Sequence, residues 1–262
     1  MIYRLHSSTP QIAKTETPII KPKYKGSAYA YGTCGTHLGD CWFCVSYCIT
    51  HNAKNISRYS HRKSDVSRKI SEIIPLFGDN GLTIVNNAPS ENVHFRTHRH
   101  QYARTIIQWK HAYYGRVCYQ IDGKSHSSKK NVPKYESEEI LRWFKRHGIE
   151  CTRIGGGMSL KKCVEIAATS DAFFGVESGM SHLCHSVGVP IFIMLSKLSP
   201  DDVAHYHGRN RYCLCAHKGI LTRSVSNLVE RNKELAKSGI IPNLAPPRIS
   251  MPVPRQLVLS RI

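Results

Sequence analysis

Three residues in the middle of the chain, Glu177-Ser178-Gly179, have the types and spacing to hold a nucleotide. They end an apolar run, Ala172 to Val176. They open a helical pattern over Met180 to Val187, which Gly188 stops before a second apolar run, Val189 to Leu195. A strand turning tightly into a helix gathers main-chain N–H groups and the positive end of the helix dipole at one point, which suits phosphate. Glu177 can accept hydrogen bonds from sugar or ribose hydroxyls beside the phosphates, and Ser178 and Gly179 let the backbone approach them. Met180 and His182 fall on the opening turn of the helix, His182 on the side facing the phosphates. A second glycine turn, Gly155-Gly156-Gly157, also brings backbone close to a ligand. The same turns are also ordinary α/β connections.

Charge and cysteine supply the other candidate chemistry. The 262 residues hold 37 Lys and Arg against 18 Asp and Glu, a formal charge of +19 that implies a polyanionic partner such as nucleic acid or an anionic glycolipid. From Asn92 to Ile121 there is no acidic residue. That stretch interleaves Arg96, Arg99, Arg104, Lys110 and Arg116 with His94, His98, His100 and His111 and with Tyr102, Trp109, Tyr113 and Tyr114. Cations with rings suit a nucleic-acid groove, and a solvated interdomain helix with core aromatics fits the same pattern. Cys41-x2-Cys44-x3-Cys48, with Cys34, His37 and His51 nearby and Cys213-x-Cys215 and His217 further on, offers zinc or iron–sulfur ligands. Positions i, i+3 and i+7 on an apolar helix favour packing instead, and no second CxxC pair completes a ribbon. The expectation is therefore no metal and no cofactor. No apolar run approaches the roughly 18 residues of a membrane span, and the N-terminus lacks a signal-peptide core. A soluble, cytoplasmic protein with reduced thiols is expected.

These residues need elements to position them, and the pattern gives an α/β order. A basic, Pro-containing arm covers 1–25. The first half, 26–112, has a strand over Gly26 to Tyr31, a glycine-rich turn from Gly32 to Asp40 and a buried helix over Cys41 to His51. A basic segment follows, then a helix around Val66 to Ile74 and a strand over Gly81 to Asn87. The second half, 113–240, has strands at 116–121 and 150–154, the pair flanking the Glu177 turn, and helices at 135–147, 160–169 and 224–237. Ile140, Trp143, Phe144 and His147 share the inner face of the helix at 135–147. Residues 196–218 read as a polar loop, and 241–262 as a Pro-rich tail that wraps over the first half or is disordered.

The stretch Asp171 to Leu195, DAFFGVESGMSHLCHSVGVPIFIML, resembles the donor-binding signature of the heptosyltransferase-like glycosyltransferases. There an acidic residue, Ser or Thr, and Gly precede a His-containing helix and a Gly-Val-Pro strand. The resemblance covers about forty residues, Ser159 to Leu195, departing at Glu177 (Asp is commoner) and Met180 (Pro is usual). It implies the glycosyltransferase-B fold: two Rossmann-like domains, here with the first reduced, and the nucleotide sugar bound mainly by the second. It also implies a general base in a Gly-Asp pair after the first strand. Gly39-Asp40 matches, with His37 close by; capping a helix is the plainer role for Asp40. A Lys shortly before a Pro contacts the donor phosphates in that family. Lys130 matches best by its spacing to Pro133, with Lys129 and Lys124 as rivals.

Together these imply transfer of a sugar from a nucleotide-diphosphate sugar to an acceptor hydroxyl by inverting, metal-independent displacement. Asp40 would be the base, with Lys130, Lys129, Gly156, Glu177, Ser178, Gly179, Met180 and His182 on the donor. His37, Arg96, Arg99 and Arg104 would lie on the acceptor side. The charge points to a nucleic-acid acceptor, for instance a hydroxylated DNA base. A lipopolysaccharide-core or other glycan acceptor stays open, as does a metal-binding or catalytically inactive nucleic-acid-binding protein.

Overall fold

The computed structural model describes residues 28–30, 37–50, 52–58, 64–86, 90–92, 102–123, 127–201, 203 and 212–242. Two parallel sheets make up an α/β architecture. The first has the order β3-β2-β1-β4, built from β1 (Ala28–Ala30), β2 (Asn55–Arg58), β3 (Thr83–Asn86) and β4 (Ser90–Asn92). The second has the order β6-β5-β7-β8-β9, from β5 (Arg116–Gln120), β6 (Glu150–Arg153), β7 (Ala172–Gly175), β8 (Ile191–Met194) and β9 (Cys213–Cys215). Every pairing is parallel, with Ile56 beside Ile84 in the first sheet and Cys118 beside Phe173 in the second.

Seven helices are described in full: α1 (Leu38–Thr50), α2 (Ser64–Ile73), α3 (Ser127–Lys130), α4 (Lys134–Arg146), α5 (Leu160–Ala168), α6 (Gly179–Val187) and α7 (Lys218–Lys237). Local chemistry explains their ends. Ser159 caps α5 by accepting from Lys162 N–H at 3.3 Å. Gly188 ends α6 with φ 88°, a left-handed conformation that glycine adopts without cost. α2 runs into a 3-10 turn, Ile74–Phe77, entered through Pro75.

The second sheet is covered on both faces. Ile140 and Phe144 of α4 and Leu221, Val225 and Val229 of α7 pack on one face with Phe174 and Phe192. On the other face, α5 and α6 share a cluster with α1 and the first sheet, so the apolar core is continuous across the two sheets. Trp42, fully buried, is the joint: its indole N–H donates to Ser186 Oγ at 2.8 Å, and its ring meets Phe77 at 5.6 Å. Truncating such a residue costs about 3–5 kcal/mol.

Several elements differ from the sequence reading. β2, β4 and α3 were not foreseen, being short and polar or interrupted by charge, and β9 was not because its three residues, Cys-Leu-Cys, sit inside a polar stretch. α7 begins at Lys218, not Ser224. His147 is exposed and not on the inner face of α4, because the helix ends at Arg146 and His147 is the residue that caps it. Over 102–115 the chain is an irregular connector without a helix, so the helical reading there is replaced. The N-terminal arm and the tail from 243 lie outside the described residues.

Candidate active site

Strand order fixes where a ligand can sit. In open α/β sheets the crevice opens at the carboxyl ends of the strands where the order reverses. In the second sheet the reversal falls between β5 and β7, which end in Gln120 and in Gly175-Val176-Glu177. In the first sheet it falls between β1 and β4, and β1 feeds α1. The two reversals meet. A Cβ on Gly179 would lie 3.0 Å from Leu38 Cβ and 3.1 Å from Gly39 N, and one on Gly39 would lie 2.8 Å from His182 Cδ2. A side chain at Gly39 would displace the His182 ring, and one at Gly179 would press the two helix starts apart by a few tenths of an ångström. The start of α1, with His37 exposed and Asp40 half-buried, rests on the start of α6. The two helix starts touch directly.

Glu177 is buried at the end of β7, 4% exposed. Lys130 Nζ donates to its Oε2, and His182 Nε2 lies 3.1 Å from its Oε1. On the other side of the imidazole, the Tyr102 hydroxyl bonds to Nδ1. Burial first, and then the charge of Glu177, push the Tyr102 hydroxyl well above its ordinary range, so it remains protonated. A carboxylate can only accept, which assigns a hydrogen to His182 Nε2; in the neutral imidazole Nδ1 is then the acceptor from Tyr102. Lys130, Glu177, His182 and Tyr102 thus form one chain of contacts. Behind it, His185 stacks on Tyr102 at 5.1 Å with 3° between the planes. Burial, then His182 and Arg104, hold the His185 imidazole well below its usual basicity.

Lys130 reaches Glu177 because its loop is tied down. Gly123 N–H donates to Asn131 Oδ1 at 2.7 Å, Val132 N–H to Ile121 O at 3.2 Å and Lys197 N–H to Lys129 O at 3.1 Å. Of the three rival lysines, Lys130 points inward and Lys129 is exposed, while Lys124 lies outside the described residues. Each oxygen of Glu177 already carries a side-chain partner, as a carboxylate buried this deeply requires. The polar surface at the lip belongs to neighbours instead. Ser178 Oγ donates to Gln120 Oε1 at 2.6 Å, and Ser178 N–H to Ser181 Oγ at 3.0 Å. Gly155 lies against Gln120 and Met180, whereas Gly156 and Gly157 face open space.

Gln120 and Tyr102 were not singled out by the sequence as site residues. The only signal for Gln120 is its place at the end of a buried strand; for Tyr102 there is none, since it reads as one aromatic among several. Arg104 is exposed and donates to His185 O at 3.1 Å, whereas Arg96 and Arg99 lie outside the described residues. The aromatics meant as stacking platforms are otherwise occupied: Tyr102 and Tyr114 are buried, and the Trp109 indole donates to Ser170 O at 2.9 Å. Cys41, Cys44 and Cys48 are buried along α1.

No family matches the chain, and no curated protein does. Among solved structures it is similar to the bacterial iron-containing dodecameric glycosyltransferase TibC from enterotoxigenic E. coli H10407, at 14% identity over 84% of this chain and 78% of that one, TM-score 0.48. It is similar to the dodecameric iron-containing heptosyltransferase TibC in complex with ADP-D-beta-D-heptose at 13% over the same shares, TM-score 0.47. For the E. coli heptosyltransferase WaaC with ADP the values are 11%, 74% and 77%, with TM-score 0.37. The expectation of no cofactor is corrected on this finding, because TibC is described as iron-containing. Among the described residues no group of three or more His, Cys, Asp or Glu side chains is placed to hold a metal ion. No described helix is long and apolar enough to cross a membrane.

Proposed function

We propose that the chain is a glycosyltransferase, moving a sugar from a nucleotide-diphosphate sugar to a hydroxyl of a polyanionic acceptor. The observation that carries the reading is the contact between the two helix starts, Gly39 against Gly179. It brings a Gly-Asp pair from one sheet onto the phosphate-type turn of the other. The donor would lie along Ser178, Gln120 and the open Gly156-Gly157 turn, its diphosphate near Lys130 and Lys129. Asp40 would take the proton of the acceptor hydroxyl as its oxygen bonds to the anomeric carbon. The bond from that carbon to the diphosphate breaks, and the diphosphate leaves with the electron pair toward the lysines. A positioned base contributes about 10²–10⁴-fold, and cations aimed at a leaving diphosphate act only as its charge develops.

Glu177 and His182 would not touch the donor. Their part is to hold Lys130 at the α6 start, with Tyr102 fixing the imidazole. The charge of +19 supports a nucleic-acid acceptor. A hydroxylated base would then be extruded from the duplex to reach Asp40.

A thermal-shift screen of nucleotide sugars tests the donor, since a ligand binding only the folded chain raises the melting temperature. Asp40→Asn should keep that shift and lose transfer by about 10²-fold or more. No shift with any nucleotide sugar defeats the reading; transfer unchanged in Asp40→Asn defeats the base. A salt-sensitive gel shift of DNA supports the acceptor, and transfer to a glycan with no DNA retention rejects it.

A further inference from the structure

On the face of the second sheet turned away from α5 and α6, α4 and α7 run side by side over Phe174. Between them lies a cavity of about 390 Å³, lined by Glu139, Arg142, Trp143, Arg146, Lys218 and Arg223 among others. Its charge balance is uneven. Four cations face it against one carboxylate, and that carboxylate is already spent on Lys218. Arg142 Nε donates to the main-chain oxygen of Glu138 at 3.3 Å, and neither Arg146 nor Arg223 meets a carboxylate among the described residues. Elsewhere on α7 the pattern is different: Lys233 pairs with Glu230 at 3.5 Å and Lys237 with Glu234 at 2.7 Å. Three guanidinium groups therefore line one concavity whose single carboxylate, Glu139, is bonded to Lys218 and is shared with Arg142 alone, on two helices packed over one apolar cluster. Trp143 shapes the floor, held by its indole N–H on Ser226 Oγ at 3.3 Å and stacked on His147 at 4.3 Å.

We infer that this cavity is a second anion site, taking phosphate groups of a ligand bound outside the crevice at Glu177. Planar guanidinium groups match phosphate oxygens in pairs and are less strongly hydrated than ammonium groups, so they suit such a site. Two sources carry that chemistry, a small free phosphate and the phosphodiester backbone of a nucleic acid. The cavity is wide enough for a nucleotide-sized group, and the +19 chain would draw either toward it.

The test compares two double variants of equal charge loss on the same helices: Arg146→Ala with Arg223→Ala, and Lys145→Ala with Arg231→Ala, the second pair lying outside the cavity lining. All four side chains are exposed, and circular dichroism with melting curves confirms the fold. Binding of inorganic phosphate is measured by calorimetry and that of a fluorescein-labelled single-stranded 12-mer by anisotropy, across a salt series. The inference expects the cavity variant to bind at least one probe about 10-fold more weakly, with a salt slope shallower by about one to two, and the control within about 2-fold of wild type. Loss with phosphate assigns a small-ligand site; loss with the 12-mer alone assigns a backbone site. Equal losses in both variants, or none in either probe, overturn it. The result does not depend on sugar transfer: Lys130→Met, which disables the proposed donor site, should leave the cavity's share of binding intact.

Discussion

β7 carries a buried carboxylate at each end, and the two are handled differently. Asp171, just before the strand, is fully buried and satisfied by neutral donors. Its oxygens accept from the main-chain N–H of Tyr114 and Arg116 at 3.2 Å and from Asn232 Nδ2 at 3.1 Å. Burial raises its pKa against those bonds, which lower it. Glu177, just after the strand, is satisfied by side chains, Lys130 on one oxygen and His182 on the other. Main-chain donors cannot move away, so Asp171 is a knot tying β5, β7 and α7. Side chains on a short helix and at a helix start can be re-aimed, so Glu177 is the centre of an adjustable network. One end of the strand holds the fold, and the other holds a cation where a phosphate would arrive.

The contrast can be broken by substitution, and the largest effect should come from the knot. Asp171→Ala strands at least three donors in the interior, each worth about 1–3 kcal/mol, and should cost about 4 kcal/mol or leave no folded chain. Urea unfolding measures it, and a loss below about 1 kcal/mol would show that the donors find other partners. Any folded Asp171→Asn protein should retain its thermal shift with nucleotide sugar.

Next comes Lys130→Met, which leaves a buried carboxylate without its cation and should cost about 3 kcal/mol. Unlike the change at Asp171, it should also abolish the nucleotide-sugar thermal shift. A normal shift would place the donor elsewhere.

Tyr102→Phe removes one buried bond to His182 and should cost about 1–2 kcal/mol. Weakened transfer with donor affinity kept within about 3-fold would mark Tyr102 as a positioning residue.

The smallest effect is one of pH. The His185 pKa is held well below 6.5 in the folded chain by burial, then by His182 and Arg104. The unfolded chain therefore binds the proton more readily, and stability falls as pH drops below about 6.5. The melting temperature should decline from pH 7 to 5, less steeply in His185→Gln. An identical decline in both would assign the sensitivity to other groups.

Much of the second sheet was legible because its elements obey local rules. Ala172 to Val176 is a continuous apolar run of strand length, Gly188 must end a helix, and Ser159 must cap one. The first sheet was less so, because β2 runs through a basic segment and β4 is three polar residues whose pairing, Tyr29 beside Glu91, no periodicity announces. The Glu177 turn and Lys130 were visible, but their relation was not. The chain gives the types, while which oxygen each atom meets depends on a loop tied down by Asn131.

The order of residues by itself determined that apolar strands alternate with amphipathic helices, that a tight turn opens α6, and that the chain repels itself at +19. Tertiary structure alone decided that Lys130, 47 residues away, is the partner of Glu177, and that Tyr102, 80 residues away, closes on His182. It also decided that Gly39 and Gly179 touch. Short-range patterns are set by the backbone's own periods. Such long-range partners are chosen only when a continuous core brings two sheets together, and no stretch of either sheet carries that information alone.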